Sequence, residues 1–141
     1  MRDQTPISKI MTKNIIAVNR TDDLETAELL FKRHHIRHIP VVSCNIIIGM
    51  LSYTDLLRIS FADAVGEDED EIDTVVYNMF TIDQVMTKNV VVVNPKTTIK
   101  EVAKILANNE FHALPVVDKG KLVGMVTTTD LINFLIQQYE D

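Results

Sequence analysis

Apolar positions along the chain change period several times, and the changes come twice in the same order. Ile15 to Val18 and Val90 to Val93 are short apolar runs, rich in β-branched residues and free of Gly and Pro, a pattern that predicts buried strands. Thr21, Asp22 and Asp23 then supply N-cap chemistry, and Leu24, Ala27, Leu30 and Phe31 fall on one helical face. In the second half Thr97 or Thr98 opens the corresponding helix, with Ile99, Val102, Ala103 and Leu106 as its stripe. Pro40 and Pro115 prevent those helices from continuing, and each begins a PVV run that reads as a strand. Turns follow at Ser43-Cys44-Asn45 and Asp118-Lys119-Gly120, then the apolar stretches Ile46 to Leu51 and Leu122 to Val126. Helices begin near Thr54 and Thr129, the second extending to about residue 139. With a short helix ahead of each first run, the order is short helix, strand, helix, strand, strand, helix, twice over.

This recurrence is an internal repeat. An offset of 75 residues, without a gap, brings IMTKNIIAVN (Ile10 to Asn19) onto VMTKNVVVVN (Val85 to Asn94), RHIPVV onto HALPVV, and GMLSYTD onto GMVTTTD. The units span residues 7–58 and 82–133, joined by a linker over 59–81 with helical ends. A unit of about 50 residues has only a marginal core of its own. Two such units packed face to face as one pseudo-symmetric α/β (α+β) domain solve that problem.

Charge and composition narrow the function more than the fold. The formal net charge is −6, but the stretch EDEDEID from Glu67 to Asp73 holds six of the 20 acidic residues, so the remainder balances the 14 basic ones. The acidic run reads as a solvated linker, with docking of a basic partner or a metal as the sharper alternative. Nucleic-acid binding is disfavoured for want of a basic face. The N-terminal MRDQTPISKI lacks a secretory pattern and no apolar run approaches the ~20 residues of a membrane span. A soluble, cytoplasmic protein without membrane insertion is the expectation. The lone Cys44 cannot form an intrachain disulfide and sits in a turn as an incidental thiol. Enzyme signatures are missing: there is neither G-x-x-x-x-G-K-[ST] nor G-x-G-x-x-G, and HHIRH (His34 to His38) lacks the Glu of a zinc helix.

The chemistry concentrates where a strand meets a helix. Ser52-x-x-Asp55 and Thr127-x-x-Asp130 stand at positions where a first helical turn leaves backbone N–H groups unpaired. One reading is a capping box, the hydroxyl capping the helix and the acid reaching back. The other is a ligand site. A carboxylate there repels phosphate but accepts from a ribose diol, at roughly 1.5–3 kcal/mol for each hydrogen bond. Micromolar affinity needs about 8 kcal/mol, so a base slot and cations are also required. The edges Asn14-Ile15-Ile16 and Asn89-Val90-Val91 offer amides and branched side chains for a purine, with Ile36 and Phe111 as covers. Arg37, His38 and His112, just before the prolines, are the candidates for phosphate.

Together the MTKN segments, RHIPVV with HALPVV, and GMLSYTDL with GMVTTTDL resemble the tandem CBS-domain pair, or Bateman module, over nearly the whole chain. The resemblance implies a β-α-β-β-α core in each repeat, a pseudo-twofold pair, and ligand clefts between the two. It also implies a sensor of AMP, ADP or ATP, less often S-adenosylmethionine, with no catalysis and no obligatory cofactor. By position it carries ribose binding to Asp55 and Asp130, and neighbouring ribose or phosphate contacts to Ser52, Thr54, Thr127 and Thr129. Phosphate contacts fall to Arg37, His38 and His112, with Ala113 standing where His38 does. The base edge falls to Asn14, Ile15, Asn89 and Val90. Tyr53 in place of Thr128 and Ala113 in place of His38 make the two copies unequal. A homodimer, with signalling to a separate effector protein, completes the expectation. The rival is a dimerisation and docking module that needs no ligand.

Overall fold

Two strand pairs with one register lie 75 residues apart. The computed structural model describes residues 4–63 and 79–140, so the acidic run Glu67 to Asp73 lies outside the described residues. A 3-10 turn at Ile7–Lys9 leads into β1 (Val18–Asn19), α1 (Leu24–His34), β2 (His38–Ser43), β3 (Ile46–Ser52) and α2 (Tyr53–Asp63). After the linker come α3 (Ile82–Val85), α4 (Ile99–Ala107), β4 (Ala113–Asp118), β5 (Lys121–Thr127) and α5 (Thr128–Glu140). In the antiparallel β2–β3 pair His38 faces Ser52 and Ser43 faces Ile46; in β4–β5 Ala113 faces Thr127 and Asp118 faces Lys121. Both pairs shift register at one place, between Val41 and Val42 and between Val116 and Val117.

The hydrogen bonds explain how a proline sits inside each pair. Met50 exchanges both of its backbone bonds with Thr87 (3.0 and 2.8 Å), and Met125 exchanges both of its own with Thr12 (2.9 and 2.7 Å). Pro40 and Pro115, facing these methionines, therefore occupy positions where no donor is called for. The hairpin loops are the two-residue Cys44-Asn45 and Lys119-Gly120, all four residues with positive φ. This is the primed turn whose twist matches that of the strands.

The compact units cut across the sequence repeats. One is Ile16–Val90; the other is Met1–Ile15 together with Val91–Asp141. In the first, Ile82 and Met86, from the start of the second repeat, join Val18, Leu24, Ala27, Phe31, Ile39, Val41, Leu51 and Leu56. In the other, Ile7 joins Val93, Ile99, Val102, Leu106, Leu114, Val116 and Val126. Each repeat thus lends its leading segment to the core of the other, and full burial of one such isoleucine contributes about 1.5–3 kcal/mol. Arg20 Nη2 to Asp83 Oδ2, 2.8 Å, further ties the loaned α3 to the residue after β1.

Close approach of the loaned segment explains two glycines. A Cβ on Gly49 would collide with Met86 Sδ and lie 3.0 Å from the Thr87 carbonyl; one on Gly124 would lie 2.6 Å from Met11 Sδ.

Helix starts fall where cap chemistry stands. Asp23 caps α1, accepting from Thr26 N, and Thr98, not Thr97, caps α4, accepting from Glu101 N. The helices expected near Thr54 and Thr129 begin one residue earlier. The predicted first strands contract. Residues 15–18 yield only Val18–Asn19, parallel to Val41–Val42, and 90–93 yield a single parallel bridge from Val93 to Val116. Of these runs only Val18 and Val93 are buried; Val91 and Val92 are 45% and 43% exposed. A strand needs a neighbour to pair with, and the neighbouring strand is met only at the end of each run.

Candidate functional site

The two strand-to-helix junctions repeat atom for atom. Ser52 Oγ accepts from Asp55 N at 3.1 Å, and Asp55 Oδ2 accepts from Ser52 N at 3.1 Å. Thr127 Oγ1 accepts from Asp130 N at 3.2 Å, and Asp130 Oδ2 accepts from Thr127 N at 2.9 Å. Both are complete capping boxes. A further bond anchors each junction to the residue just ahead of the hairpin's first strand, β2 or β4: Tyr53 N donates to the Arg37 carbonyl and Thr128 N to that of His112, each at 2.9 Å.

Capping engages one carboxylate oxygen and leaves the other. Asp55 Oδ1 lies 3.6 Å from Nη1 of Arg58, a long ion pair whose arginine is exposed to solvent and which contributes at most about 1 kcal/mol. In the second repeat Asn133 stands where Arg58 does. Both aspartates are half-buried, as are Ser52 and Thr127, while Thr54 and Thr129 are exposed beside them. A half-buried carboxylate held by one backbone N–H, with its other oxygen outside the cap, is oriented to accept from a neutral donor such as a hydroxyl.

The expected residues sort by unit. Arg37, His38, Ser52, Thr54 and Asp55 gather around the first junction, since His38 faces Ser52 across the ladder and the Arg37 carbonyl binds Tyr53 N. His112, Ala113, Thr127, Thr129 and Asp130 gather around the second in the same manner. Asn89 and Val90 belong to the compact unit of Asp55, and Asn14 and Ile15 to that of Asp130. Both asparagines are exposed, but only Asn89 has a left-handed backbone, at φ 57°. Ala113 is buried and His38 half-buried.

Position 53/128 divides the copies further. Tyr53 turns its ring onto Phe31, centroids 5.5 Å apart and planes tilted by 51°, and so joins the core. Thr128 stays polar, its Oγ1 donating to the His112 carbonyl at 3.3 Å. Arg58 is the residue that sequence reasoning passed over at the junction. Its spacing of three from Asp55 on a helix was the available signal. Among the described residues no group of three or more His, Cys, Asp or Glu side chains is placed to hold a metal ion, and Cys44 is an exposed free thiol.

A family model of the CBS domain matches residues 7–62 and 82–137. CBS domain-containing protein YhcV of Bacillus subtilis is 29% identical over 126 residues, covering 89% of this chain and 81% of its own. The chain spans less than half the length of several other curated relatives that it matches. Among solved structures, a putative acetoin utilization protein (AcuB) from Vibrio cholerae superposes with a TM-score of 0.80 at 28% identity, covering 97% of this chain and 94% of that one. CBSX2 of Arabidopsis thaliana, in complex with AMP, superposes with a TM-score of 0.78 at 23% identity, covering 96% and 98%.

Proposed function

This chain belongs to the CBS-domain family, and from that premise we propose that it is a regulatory module that binds AMP, ADP or ATP and reports the bound state to a partner protein. The observation that carries the reading is the duplicated junction, in which a half-buried aspartate caps a helix with one oxygen and keeps the other outside the cap. Asp55 and Asp130 accept from the ribose hydroxyls. Ser52, Thr54, Thr127 and Thr129 contact ribose or phosphate, Arg37, His38 and His112 face phosphate, and Ala113 leaves room where His38 stands. Asn14, Ile15, Asn89 and Val90 line the base. An AMP complex of a protein with this fold supports the ligand class.

No catalytic step is assigned to the chain. Its output is a change in the orientation of repeats or of subunits in a homodimer, read by a separate effector, and it is no larger than the ligand's differential affinity for the two arrangements. Scattering profiles that superimpose with and without saturating nucleotide would remove this output. No described helix is long and apolar enough to cross a membrane, and the cytoplasm, where nucleotides are abundant, is the compartment that suits the role.

The completeness of both capping boxes favours a second reading, a docking module whose aspartates only hold helices. Thermal denaturation separates the two. Asp55→Ala and Asp130→Ala each lower the stability of the ligand-free protein by about 1 kcal/mol through the lost cap. A nucleotide at ~100 times its dissociation constant adds about 2.7 kcal/mol to the wild type, and that increment shrinks in the variants. An absent increment with AMP, ADP, ATP and S-adenosylmethionine alike decides for docking.

A further inference from the structure

The segments leading into the two junctions carry opposite electrostatics on one backbone. Residues 32–38 read KRHHIRH; 75 residues on, 107–113 read ANNEFHA. The first holds three permanent cations and three histidines, the second one histidine and an acid, Glu110. Arg58, beside Asp55, adds a further cation that Asn133 does not match.

Backbone bonds fix the cationic segment to the junction. α1 ends at His34, His35 caps it in a left-handed conformation at φ 53°, and Ile36 N donates back to the Phe31 carbonyl. The chain then enters Arg37, whose carbonyl receives Tyr53 N. Lys32 is engaged by Glu28 at 2.9 Å. Arg33, His34, His35 and Arg37 are all exposed, and no ion pair is formed by them among the described residues. Attraction to the negative end of the α1 dipole accounts for Lys32, Arg33 and His34 in the last turn. It gives no reason for His35, Arg37, His38 or Arg58.

We propose that the Asp55 junction is selective for polyphosphates: its cations hold the tail of an adenosine di- or triphosphate, while the Asp130 junction takes an adenosine ligand with at most one phosphate. This rests on the nucleotide-binding reading above. Each phosphate beyond the first brings negative charge and acceptor oxygens. Arginine forks and histidine N–H groups meet both demands, Arg33 and Arg58 lengthening the phosphate site that Arg37 begins. At the second junction Glu110 repels a longer tail, and the Asn108 and Asn109 amides leave its charge uncompensated.

The test is calorimetric titration of the full chain with AMP and with ATP at matched ionic strength, using Asp130→Ala to read the first junction and Asp55→Ala to read the second. With Asp130→Ala, ATP binds about tenfold or more tightly than AMP, as charge-assisted contacts to the added phosphates require. With Asp55→Ala, AMP binds at least as well as ATP. Adding Arg33→Gln, His34→Gln and His35→Asn to Asp130→Ala brings ATP down to the affinity of AMP while AMP itself moves by less than about threefold, because the charge removed faces only the added phosphates. Asparagine keeps the left-handed position tolerable. Arg58→Gln, at an exposed helical position, is the independent variant should the triple change disturb folding, and it lowers the preference for ATP in the same direction. AMP and ATP binding equally at both junctions, or a preference for ATP that survives both sets of variants, overturns this proposal and leaves nucleotide binding intact. No binding of any adenine nucleotide by the wild type overturns both.

Discussion

Ser52 and Thr127 stand at one register position, opposite His38 and Ala113, and each closes the same reciprocal bond with the acid three residues on. Around them little else agrees. Beside Ser52 lie an arginine one turn into the helix, a tyrosine packed on Phe31 and a cation-rich approach; beside Thr127 lie an asparagine, a hydroxyl and an approach with one acid. Backbone and cap are satisfied by a few local residues, so they persist. The surroundings that any ligand would meet are free to diverge. A duplicated fold can therefore present two different chemistries from one scaffold.

The comparison breaks most sharply at the loaned segments, where the two units share one device. Ile82 and Ile7 are fully buried in cores built mainly by the opposite repeat. Ile82→Ala and Ile7→Ala should each cost about 2–5 kcal/mol, the range for deleting a buried aliphatic side chain. Chemical denaturation measures the loss. Hydrogen exchange should place the weakened amides of Ile82→Ala in β2 and β3, and those of Ile7→Ala in β4 and β5. Protection lost instead within the substituted residue's own repeat would show that the segments are not exchanged.

A smaller difference separates the two glycines under those segments. At Gly124 the three atoms nearest to a new Cβ all belong to the Met11 side chain, which can turn away; at Gly49 the three nearest include the Thr87 carbonyl, 3.0 Å off and bonded to Met50. Gly49→Ala should cost about 2–3 kcal/mol, and Gly124→Ala about 1 kcal/mol, the upper and lower parts of the overpacking range. Equal melting temperatures for the two variants would show that both methionines yield alike.

How far such features could be read from the chain depends on how local their causes are. The sites of the helix caps and hairpin turns and the shared register at an offset of 75 follow from residues within a few positions of one another, and these were legible. So was the capping geometry of Ser52 with Asp55 and of Thr127 with Asp130. The chain left open which of Thr21, Asp22 and Asp23, and which of Thr97 and Thr98, is the cap, and it made each turn one residue too long, since Ser43 and Asp118 end β2 and β4. The first strands were over-read because the runs Ile15 to Val18 and Val90 to Val93 are apolar throughout, and composition does not say which of those residues will find a partner strand. The exchange of leading segments was invisible for a related reason. Met11 and Met86 have the same character in either core, and only the path of the chain decides which glycine each one covers.

The mildest contrast concerns the first helix of each repeat. α1 is capped by a carboxylate and α4 by a hydroxyl. Asp23 Oδ1 accepts from Thr26 Oγ1 at 2.7 Å and from Thr26 N at 2.8 Å, and these bonds hold its pKa below the ordinary aspartate value of 3.8. A carboxyl whose pKa is depressed on folding binds protons less readily folded than unfolded. Its stabilising effect is therefore complete above the unfolded value and disappears as pH falls through the folded one. Thr98 does not titrate. Acidification from about pH 5 to 3, across the carboxylate range, should loosen the first turn of α1 more than that of α4, read as amide exchange at Thr26 against Glu101. Asp23→Asn, which keeps an N-cap acceptor without the charge, should remove this component and leave the α4 profile as it was. If Thr26 and Glu101 lose protection together in both proteins, the acid response belongs to global unfolding and the cap has no separate share in it.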